Sequence, residues 1–537
     1  MKKLLILILI LVVIFSACTI NNPTNSHTDS TNSSSQSTIT TSSTTPSSTN
    51  PSDNRRIIIN SYTLEVDEAT QISVKFVNME NEPVTYTYDN QNIWIYDNKI
   101  QGMLSGTTTT VTATTASGVS TAFKVTVKED NYSSTLSQET SEGWLDPISV
   151  SPLTNKIDDS FPLGIDMSMV YQVIQNGGKY YNSEGKRQNV FQILADNGVN
   201  YVRLRLWHDP YNTYSTGEKV SYGGGTCDRE TIIKLAREAK AAGLKLLLDF
   251  HYSDFWADPT YQVMPKAWAK YQTSDEVANA LYEYTKSVLL DLKEVDALPD
   301  MVQVGNEVTN GMMTRHPGEE SDKLTGDSNA EYLTNSYTLN ANLRGYAYST
   351  NFRKYLKAGL DAVNEVDEDI LTMIHISKGM TGTDFMKSFY HDLDGLDFDI
   401  IGLSYYPKYQ GKISDLKNAL NVLYQEFPDK LVTIAETSYA FTYTSSIHAS
   451  NSFNTEWALS GYDVSVSGQA NFLRDVIAAL ADSPNGYGLF WWEGAWLPVS
   501  GAGWADSLTR CTWGNQTFFT YNGKVLPSLS VFNAVKD

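Results

Sequence analysis

From Ser160 onward the sequence repeats one unit, which consists of a short apolar run typical of a buried strand, a loop, and a segment with helical periodicity. Eight strand-like runs occur, at 162–169, 201–207, 244–251, 301–306, 370–375, 399–405, 431–436 and 488–493. Eight such units are the number that closes a parallel (β/α)8 barrel. The predicted fold class is therefore α/β, with a (β/α)8 TIM barrel at 158–537.

The segment after the second strand-like run shows why the units predict helices. Asp228 is a residue type that favours the N-cap, and Gly243 is one that ends a helix. Between them the apolar residues that fall on one helical face are Ile232, Leu235, Ala236 and Ala239. An amphipathic helix followed at once by a strand is the pattern that a barrel requires.

Nearly every strand-like run ends in a polar or aromatic side chain, at the edge where a barrel carries its active site. These endings are Asp166, Arg205 with Trp207, His251 with Asp254, Asn306 with Glu307, His375, Tyr405, Glu436, and Trp492 with Glu493. The functional residues are therefore expected at the carboxyl end of the barrel.

Two of the three glutamates among these endings directly follow apolar runs, Glu307 after strand four and Glu436 after residues 431–435 of strand seven. A retaining glycosidase needs such a pair, one carboxyl group to protonate the leaving oxygen and one to attack the sugar. The spacing leaves open which glutamate is the acid. We expect Arg205 beside one of them, lowering its pKa and leaving the other as donor, and Asn306 is placed to hold a sugar hydroxyl.

The loop from Tyr252 to Asp258 after strand three combines aromatic rings with carboxylates. Such a loop suits a sugar, whose apolar face packs on aromatic rings while its hydroxyls bind polar groups. His251 and Asp254 could instead begin a metal site. The sugar interpretation is favoured because no second clustered histidine accompanies them in a chain with seven histidines.

The first 54 residues predict export and a tether. Residues 1–17 have the charged start and short apolar core of a signal peptide. Their end, followed by Cys18, resembles a bacterial lipoprotein signal, with Phe15 in place of the usual leucine; ordinary secretion is the alternative. Residues 18–54 are rich in Ser, Thr, Asn and Pro and predict a flexible tether. We expect an extracellular protein that is lipid-anchored at Cys18.

Residues 55–128 contain short alternating β-type runs, including 71–76, 84–88 and 107–113, with turns at 80–81 and 89–90. This spacing predicts a small all-β sandwich. The run 100–106 followed by 123–127 resembles the bacterial immunoglobulin-like group 2 module, for which a spacer role is favoured over carbohydrate binding. Residues 129–157 are interpreted as a linker, and the barrel from about 158 is expected to fold and work alone.

Charge and cysteine content exclude several classes of protein. The formal net charge of −21 would repel nucleic acid and anionic lipid. Three cysteines, Cys18, Cys227 and Cys511, do not make a disulfide framework or a zinc motif. A Cys227–Cys511 bridge and two free buried thiols are both compatible with the sequence.

The strings at 202–207, 248–259, 303–307, 402–407, 436–439 and 490–496 resemble glycoside hydrolase family 53, the arabinogalactan endo-β-1,4-galactanases. The resemblance implies Glu307 as acid/base, Glu436 as nucleophile and β-1,4-galactan, the neutral side chain of pectin, as substrate. The candidate substrate-binding residues are Arg205, Trp207, His251, Asp254, Phe255, Trp256, Asp258, Asn306, His375, Tyr405, Tyr439, Trp492 and Glu493.

One departure concerns calcium. Bacterial members of the family are similar in a calcium site built from an Asp-rich loop after strand seven and an Asp before an Asn-Gln pair. Here residues 441–451 contain no carboxylate, and Gly514 precedes Asn515. A hard cation would lose most of its charge compensation, so we expect no metal and no cofactor.

Two alternative functions remain open from the sequence. The same barrel and glutamate pair would serve an enzyme for another β-glycan, such as mannan or cellulose. A surface lipoprotein that holds glycan without cleaving it is the second alternative, which the presence of both glutamates and Asn306 argues against. The expected partner is galactan, with a membrane contacted only through the anchor, no nucleic acid, and a monomeric protein.

Overall fold

The computed structural model describes residues 54–154, 156–213, 216–317, 337–338, 342–505 and 508–536. The chain divides into two units, residues 1–54 and 55–537. The predicted signal peptide, Cys18 and the tether up to residue 53 lie outside the described residues. Among the described residues, none of the helices combines the length and the apolar character needed to cross a membrane.

The second unit begins with an all-β region. Its strands are β1 Arg56–Ile58, β2 Tyr62–Leu64, β3 Ala69–Gln71, β4 Lys75–Val77, β5 Val84–Thr87, β6 Ile93–Tyr96, β7 Lys99–Gly102, β8 Thr107–Thr115 and β9 Ser120–Val127. They form a four-stranded sheet β2-β9-β8-β5, a three-stranded sheet β3-β7-β6 and the pair β1-β4. The alternating burial along β8 and β9 matches one face packed on a core and one face in solvent.

One predicted strand of this region is wrong in its extent. The run 71–76 was expected to be continuous, but β3 ends at Gln71 and β4 begins at Lys75. At the break Ile72 is buried, and its N–H donates to the carbonyl of Asn98 at 2.8 Å. A buried side chain and a hydrogen bond to a turn therefore replace the strand pairing that the alternating pattern suggested.

The predicted eight-stranded barrel is confirmed. Its strands are β10 Leu163–Asp166, β11 Tyr201–Leu206, β12 Lys245–Phe250, β13 Met301–Val304, β14 Leu371–Ile376, β15 Ile400–Tyr405, β16 Leu431–Thr437 and β17 Gly486–Trp491. They pair in parallel in chain order, and β17 returns to β10. Gly164 sits at this closure, where a Cβ atom would lie 2.3 Å from a ring carbon of Phe490.

The α-helices among the described residues of the second unit surround the barrel, connect its strands or flank it in the chain. They are α1 Ser137–Ser141, α2 Val170–Gln175, α3 Val190–Asp196, α4 Arg229–Ala241, α5 Ser274–Glu294, α6 Thr350–Val366, α7 Thr383–His391, α8 Pro407–Gln410, α9 Ile413–Glu426, α10 Val466–Ala481 and α11 Val531–Ala534.

Helix α4 forms as its sequence predicts. The side chain of Asp228 caps it by accepting a hydrogen bond from the N–H of Thr231, and Gly243 adopts a positive φ of 80° beyond its end. The predicted apolar face, Ile232, Leu235, Ala236 and Ala239, is buried against the barrel. The apolar face sets how α4 packs on the barrel, and the residues at its two ends set where the helix begins and ends.

The all-β region packs directly on the barrel. Arg187 of the barrel lies 3.7 Å from carboxylate oxygens of both Glu65 and Asp67, and the Asn189 amide donates to Asp67 at 3.0 Å. One backbone hydrogen bond runs from the N–H of Ser105 to the carbonyl of Arg187 at 2.9 Å. Polar contacts therefore hold the two parts together within one compact unit.

The stretch interpreted as a linker is also ordered against the barrel. It contains α1, and its Trp144 is 1% exposed and packs with Phe441 and Tyr521. Cys227 and Cys511 are both buried and are not bridged.

Candidate active site

The site is built around an unusual backbone turn at the end of β13. Gly305 has a φ of 85°, and Glu307 has the left-handed φ of 45° that residues other than glycine rarely adopt. A Cβ atom at Gly305 would lie 2.6 Å from a methyl group of Val308, so only glycine fits. This turn points Glu307 into the barrel mouth, and backbone strain of this kind occurs preferentially at functional sites.

Glu307 and Glu436 line the same two adjoining cavities, with volumes of about 750 and 410 Å³. The hydroxyl of Ser404 donates to Glu307 Oε1 at 2.6 Å. Glu436 accepts from the Tyr406 hydroxyl at 3.0 Å and lies 2.9 Å from Arg203 Nη2. The two carboxyl groups thus share one cleft but have different partners, a hydroxyl for one and a cation for the other.

The partners separate the pKa values of the pair. Burial raises the pKa of Glu307 well above its usual range, and the nearby charge of Glu436 raises it further. Burial also raises the pKa of Glu436, to about 7, but Arg203 opposes that rise. Glu307 therefore holds its proton more firmly, and Glu436 is the first of the two to ionise.

A buried polar network lies beneath the glutamates. Arg203 is within 2.8 Å of both Asp166 and Asp249, and it donates to the Asn306 side-chain oxygen at 2.9 Å. Burial alone would raise the pKa of Asp249, but Arg203 and the contact with His251 together outweigh burial, and the pKa is lowered. Paired charges fix the guanidinium, which in turn fixes the orientation of Glu436 and Asn306.

Arg203, and not Arg205, is the cation beside a catalytic candidate, which corrects the expectation from the sequence. Both side chains point into the barrel because residues two apart on a strand share a face. Arg205 is fully buried, bonded to Glu493 and to the carbonyl of Gly224, and its guanidinium lies 4.3 Å from the ring centre of Trp256. It lies under the aromatic wall of the cleft.

Seven of the predicted site residues line the cleft: Glu307, Glu436, His251, Trp256, Asp258, Asn306 and Trp492. They come from the ends of β12, β13, β16 and β17 and from the loop after β12. The structure therefore brings together the glutamate pair, the amide before it and three aromatic or imidazole rings.

The remaining predicted site residues are buried behind the cleft and line neither cavity. Trp207 donates to His251 Nδ1 at 3.1 Å, and Asp254 accepts from the N–H of Asp209 at 3.1 Å. Each of the others is 1% exposed or less; they are Arg205, Phe255, His375, Tyr405, Tyr439 and Glu493. These residues pack behind the residues that line the cleft and support them, and a sugar in the cleft would not contact them directly.

His375 shows how such support works. Its Nε2 lies 2.9 Å from the Ser404 oxygen, and the Ser404 hydroxyl in turn donates to Glu307. Burial and Arg203 lower the pKa of His375 well below its usual value, so the ring is neutral. A neutral imidazole that donates to Ser404 sets the direction of the hydroxyl that contacts Glu307.

Several cleft residues were not among the predicted set. Tyr406 follows Tyr405 just beyond β15 and contacts Glu436, and Trp513 lies far along the chain with its ring nitrogen donating to the carbonyl of Trp492 at 3.1 Å. Tyr409 and Trp457 form an edge-to-face pair in the larger cavity. Only Tyr406 carried a signal, as a second tyrosine at a strand end. Tyr409 comes from the short helix α8, and Trp457 and Trp513 come from loops.

The described residues do not fit a metal ion. The Nδ1 atom of His251 already accepts hydrogen bonds from the Trp207 ring nitrogen and from the N–H of Ala257, so it is not free to bind a metal ion. This argues against the alternative interpretation of the loop after β12 as a metal site. Across the described ranges, no group of three or more His, Cys, Asp or Glu side chains is arranged to hold a metal ion.

The loop after β16 does not offer a calcium site either. The hydroxyls of Thr442 and Thr444 donate to the carboxylate of Glu142, a residue from ahead of the barrel. Asn515 donates to the carbonyl of Thr442, while the side-chain oxygens of Asn515 and of Asn451 are buried with no hydrogen-bond partner among the described residues. Two neutral amide oxygens do not supply the charge that a divalent cation needs.

A closed parallel barrel with two carboxyl groups of unequal pKa in an aromatic cleft defines the class of barrel glycosidases. The sequence profile of Glycosyl hydrolase family 53 matches residues 162–532, and the chain belongs to this family.

The comparisons with individual proteins agree. The chain is 34% identical over 408 residues to the endo-beta-1,4-galactanase of Bacillus subtilis, covering 70% of this chain and 86% of the relative. It is 31% identical over 389 residues to the arabinogalactan endo-beta-1,4-galactanase of Cellvibrio japonicus, covering 70% and 91%. The solved family 53 catalytic domain from Ignisphaera aggregans superposes with a TM-score of 0.62 at 38% identity, covering 73% of this chain and all of that domain.

Proposed function

We propose that this chain is an endo-β-1,4-galactanase that hydrolyses β-1,4-galactan with retention of configuration. The observation that carries the proposal is the position of Glu307 and Glu436 where two cavities adjoin. A cleft that continues on both sides of the reacting groups accepts a polysaccharide along its length, so cleavage inside the chain follows.

The substrate follows from the family and from its galactanase members in Bacillus subtilis and Cellvibrio japonicus. The lining is consistent with a neutral galactan, because Trp256, Trp492 and Trp513 offer aromatic faces to sugar rings. Asp258 and Asn306 offer polar groups for hydroxyls. A net charge of −21 disfavours a polyanionic substrate.

The roles of the two glutamates follow from their surroundings. Glu436, ionised first, attacks the anomeric carbon while Glu307 transfers its proton to the glycosidic oxygen, and the chain beyond that oxygen leaves as an alcohol. Glu307, now a carboxylate, then takes a proton from water, whose oxygen attacks the anomeric carbon and releases Glu436. Two displacements at one carbon return the product with the β configuration.

Initial rates of reducing-sugar release test the substrate. We expect rapid release of short oligosaccharides from β-1,4-galactan and little from mannan, xylan or soluble cellulose. One buried polar group left unpaired by the wrong epimer costs about 1–3 kcal/mol, so two such contacts already discriminate strongly. Similar rates on galactan and mannan or cellulose would defeat the galactan assignment, and no release from any glycan would favour the binding-protein alternative.

We further propose that the protein is exported and lipid-anchored through Cys18, with residues 18–54 as tether and the all-β region of 55–128 as an immunoglobulin-like spacer. The basis is the sequence of residues 1–54 and the two-sheet pattern of the strands that follow. Cys18→Ser should move the protein from the membrane fraction to the medium at unchanged specific activity. A variant that stays with the membrane would refute the anchor.

A further inference from the structure

The loop after β16, residues 441–452, forms part of the wall of the smaller cavity. Ser452 lines that cavity, and its N–H and hydroxyl both donate to the carbonyl of Thr512 at 2.9 Å. Thr512 and the neighbouring Trp513 line the same cavity. The position of this loop therefore sets the shape of one side of the sugar cleft.

A carboxylate from a distant part of the chain holds the first turn of this loop. Glu142 Oε2 accepts from the Thr442 hydroxyl at 2.5 Å, and Oε1 accepts from the Thr444 hydroxyl at 2.6 Å. The Trp144 ring nitrogen donates to the same carboxylate at 3.1 Å. Burial alone would raise the pKa of Glu142, but these three donors outweigh it and lower the pKa, so the group is ionised at neutral pH.

The ring of Trp144 packs under the same turn. It is 1% exposed and makes edge-to-face contacts with Phe441, at 5.0 Å between ring centres, and with Tyr521, at 5.3 Å. Tyr521 in turn donates its hydroxyl to the carbonyl of Thr444. A fully buried tryptophan in such a position stabilises the turn that it packs against.

Hydrogen bonds connect this turn to the strand that carries Glu436. The carbonyl of Asn515 accepts from the N–H of Phe441 at 2.9 Å. The next residue, Gln516, accepts from the Ser438 hydroxyl at 2.7 Å, and its carbonyl accepts from the Trp491 ring at 2.8 Å. These bonds link the turn to Ser438, just beyond the end of β16, and to Trp491, the chain neighbour of the cleft residue Trp492.

We propose that the segment ahead of the barrel, residues 131–148, is a strap that positions the loop 441–452 through Glu142 and Trp144, and thereby tunes the sugar cleft. The loop itself provides hydroxyls but no carboxylate, and the strap supplies the missing negative charge from outside. Glu142 and Trp144 are positioning residues, since neither lines the cavities around the glutamates.

The test uses the full chain with Glu142→Ala and Glu142→Gln, and with Glu294→Gln at an exposed helix end as the control. The readouts are kcat and KM on β-1,4-galactan and hydrogen exchange of the peptides covering 441–452; the kinetic readout rests on the proposed function. We expect Glu142→Ala to raise KM about fivefold, the factor that matches the loss of one ordinary hydrogen bond, ~1 kcal/mol. The kcat value should stay within about twofold, because Arg203 and Tyr406, which hold Glu436, belong neither to the loop nor to the strap.

Exchange in the loop should be faster in Glu142→Ala, intermediate in Glu142→Gln and unchanged in the control. Trp144→Phe, which keeps an aromatic ring, should be milder than Trp144→Ala in both readouts. A wild-type protein that is inactive on galactan would refute the proposed function but leave the exchange comparison to decide on the strap.

Two results would overturn the proposal. The first is a loss of melting temperature and of active protein in Glu142→Ala with KM and loop exchange as in the wild type, which indicates a purely structural contact. The second is a wild-type loop whose exchange slows with added calcium and quickens with a chelator, which indicates that a metal holds it.

Discussion

At the scale of single residues, the two glutamates differ because one cation lies beside only one of them. Arg203 contacts Glu436 and is absent from the Glu307 hydrogen bonds, in which Ser404 is the donor. The asymmetry lets one group begin as a proton donor and the other as an ionised nucleophile within one cleft.

Chemical rescue tests the role of Glu436. Glu436→Gly should abolish galactan hydrolysis, and azide should restore part of the activity with an inverted glycosyl azide as product, because a small anion can replace the missing nucleophile. Glu307→Ala should lower kcat on galactan by about 10²–10⁴ but spare substrates with a good leaving group, which need little protonation. The exchange of these two patterns between the variants would reverse the assigned roles.

The pH profile tests the role of Arg203. Removal of its charge in Arg203→Gln leaves the Glu436 carboxylate without its cation, so the pKa of Glu436 rises above about 7. The acidic limb of kcat/KM should therefore move to higher pH, by roughly one unit or more. Arg203→Lys, which keeps the charge, should move it less, and Arg229→Lys at the surface should not move it. An unmoved limb in a folded Arg203→Gln protein would contradict the account.

Residue identities were predictable where a strand end carried them. Glu307, Glu436, Asn306 and Trp492 follow apolar runs, and barrel geometry then puts them in one place. Which of Arg203 and Arg205 contacts a catalytic glutamate was not predictable from the sequence. Both lie on the same face of one strand, and they have different partners only because they lie at different depths in the barrel.

At the scale of elements, the periodicity of apolar residues was enough to predict the barrel strands and helices such as α4, because the signals for these elements are local. The same pattern did not predict cleft residues on loops, such as Trp513 and Trp457. It also did not predict the contact between Glu142 and Thr442, which are 300 residues apart in the chain. Contacts of this kind depend on loop geometry that no local pattern encodes.

The turn after β13 allows a prediction for one element. Gly305→Ala forces a Cβ into a backbone with φ of 85° and to within 2.6 Å of Val308, so it should lower both the melting temperature and kcat. Strain of this type costs about 1–3 kcal/mol. Gly395→Ala is the matched control, with φ of 86° and nothing within 4 Å, and should affect stability only. Equal kcat values for the two variants would show that the turn does not position Glu307.

At the scale of the whole molecule, residues that precede the first barrel strand in the chain pack against the barrel. Asp130 lies 2.8 Å from Lys179 and 3.4 Å from Arg187, and Trp144 is buried under the loop after β16. These contacts favour a catalytic domain that begins before Asp130, whereas the sequence pattern suggested about residue 158.

Two truncated chains distinguish these boundaries. A chain that starts at residue 129 should retain the kcat and KM of the full protein. A chain that starts at 158 loses Glu142 and Trp144, and should be less stable by about 3–5 kcal/mol, the usual cost of removing a buried tryptophan side chain, with a higher KM. Equal melting temperatures and KM values for the two chains would support the shorter domain.

The configuration of the first product tests the central claim most directly. Proton NMR of β-1,4-galactan during the first minutes of hydrolysis distinguishes the anomers before they equilibrate. The retaining mechanism predicts new reducing ends in the β configuration, because Glu436 and then water attack the same carbon in turn. New ends in the α configuration, or none on galactan under conditions in which another β-glycan is cleaved, would contradict it.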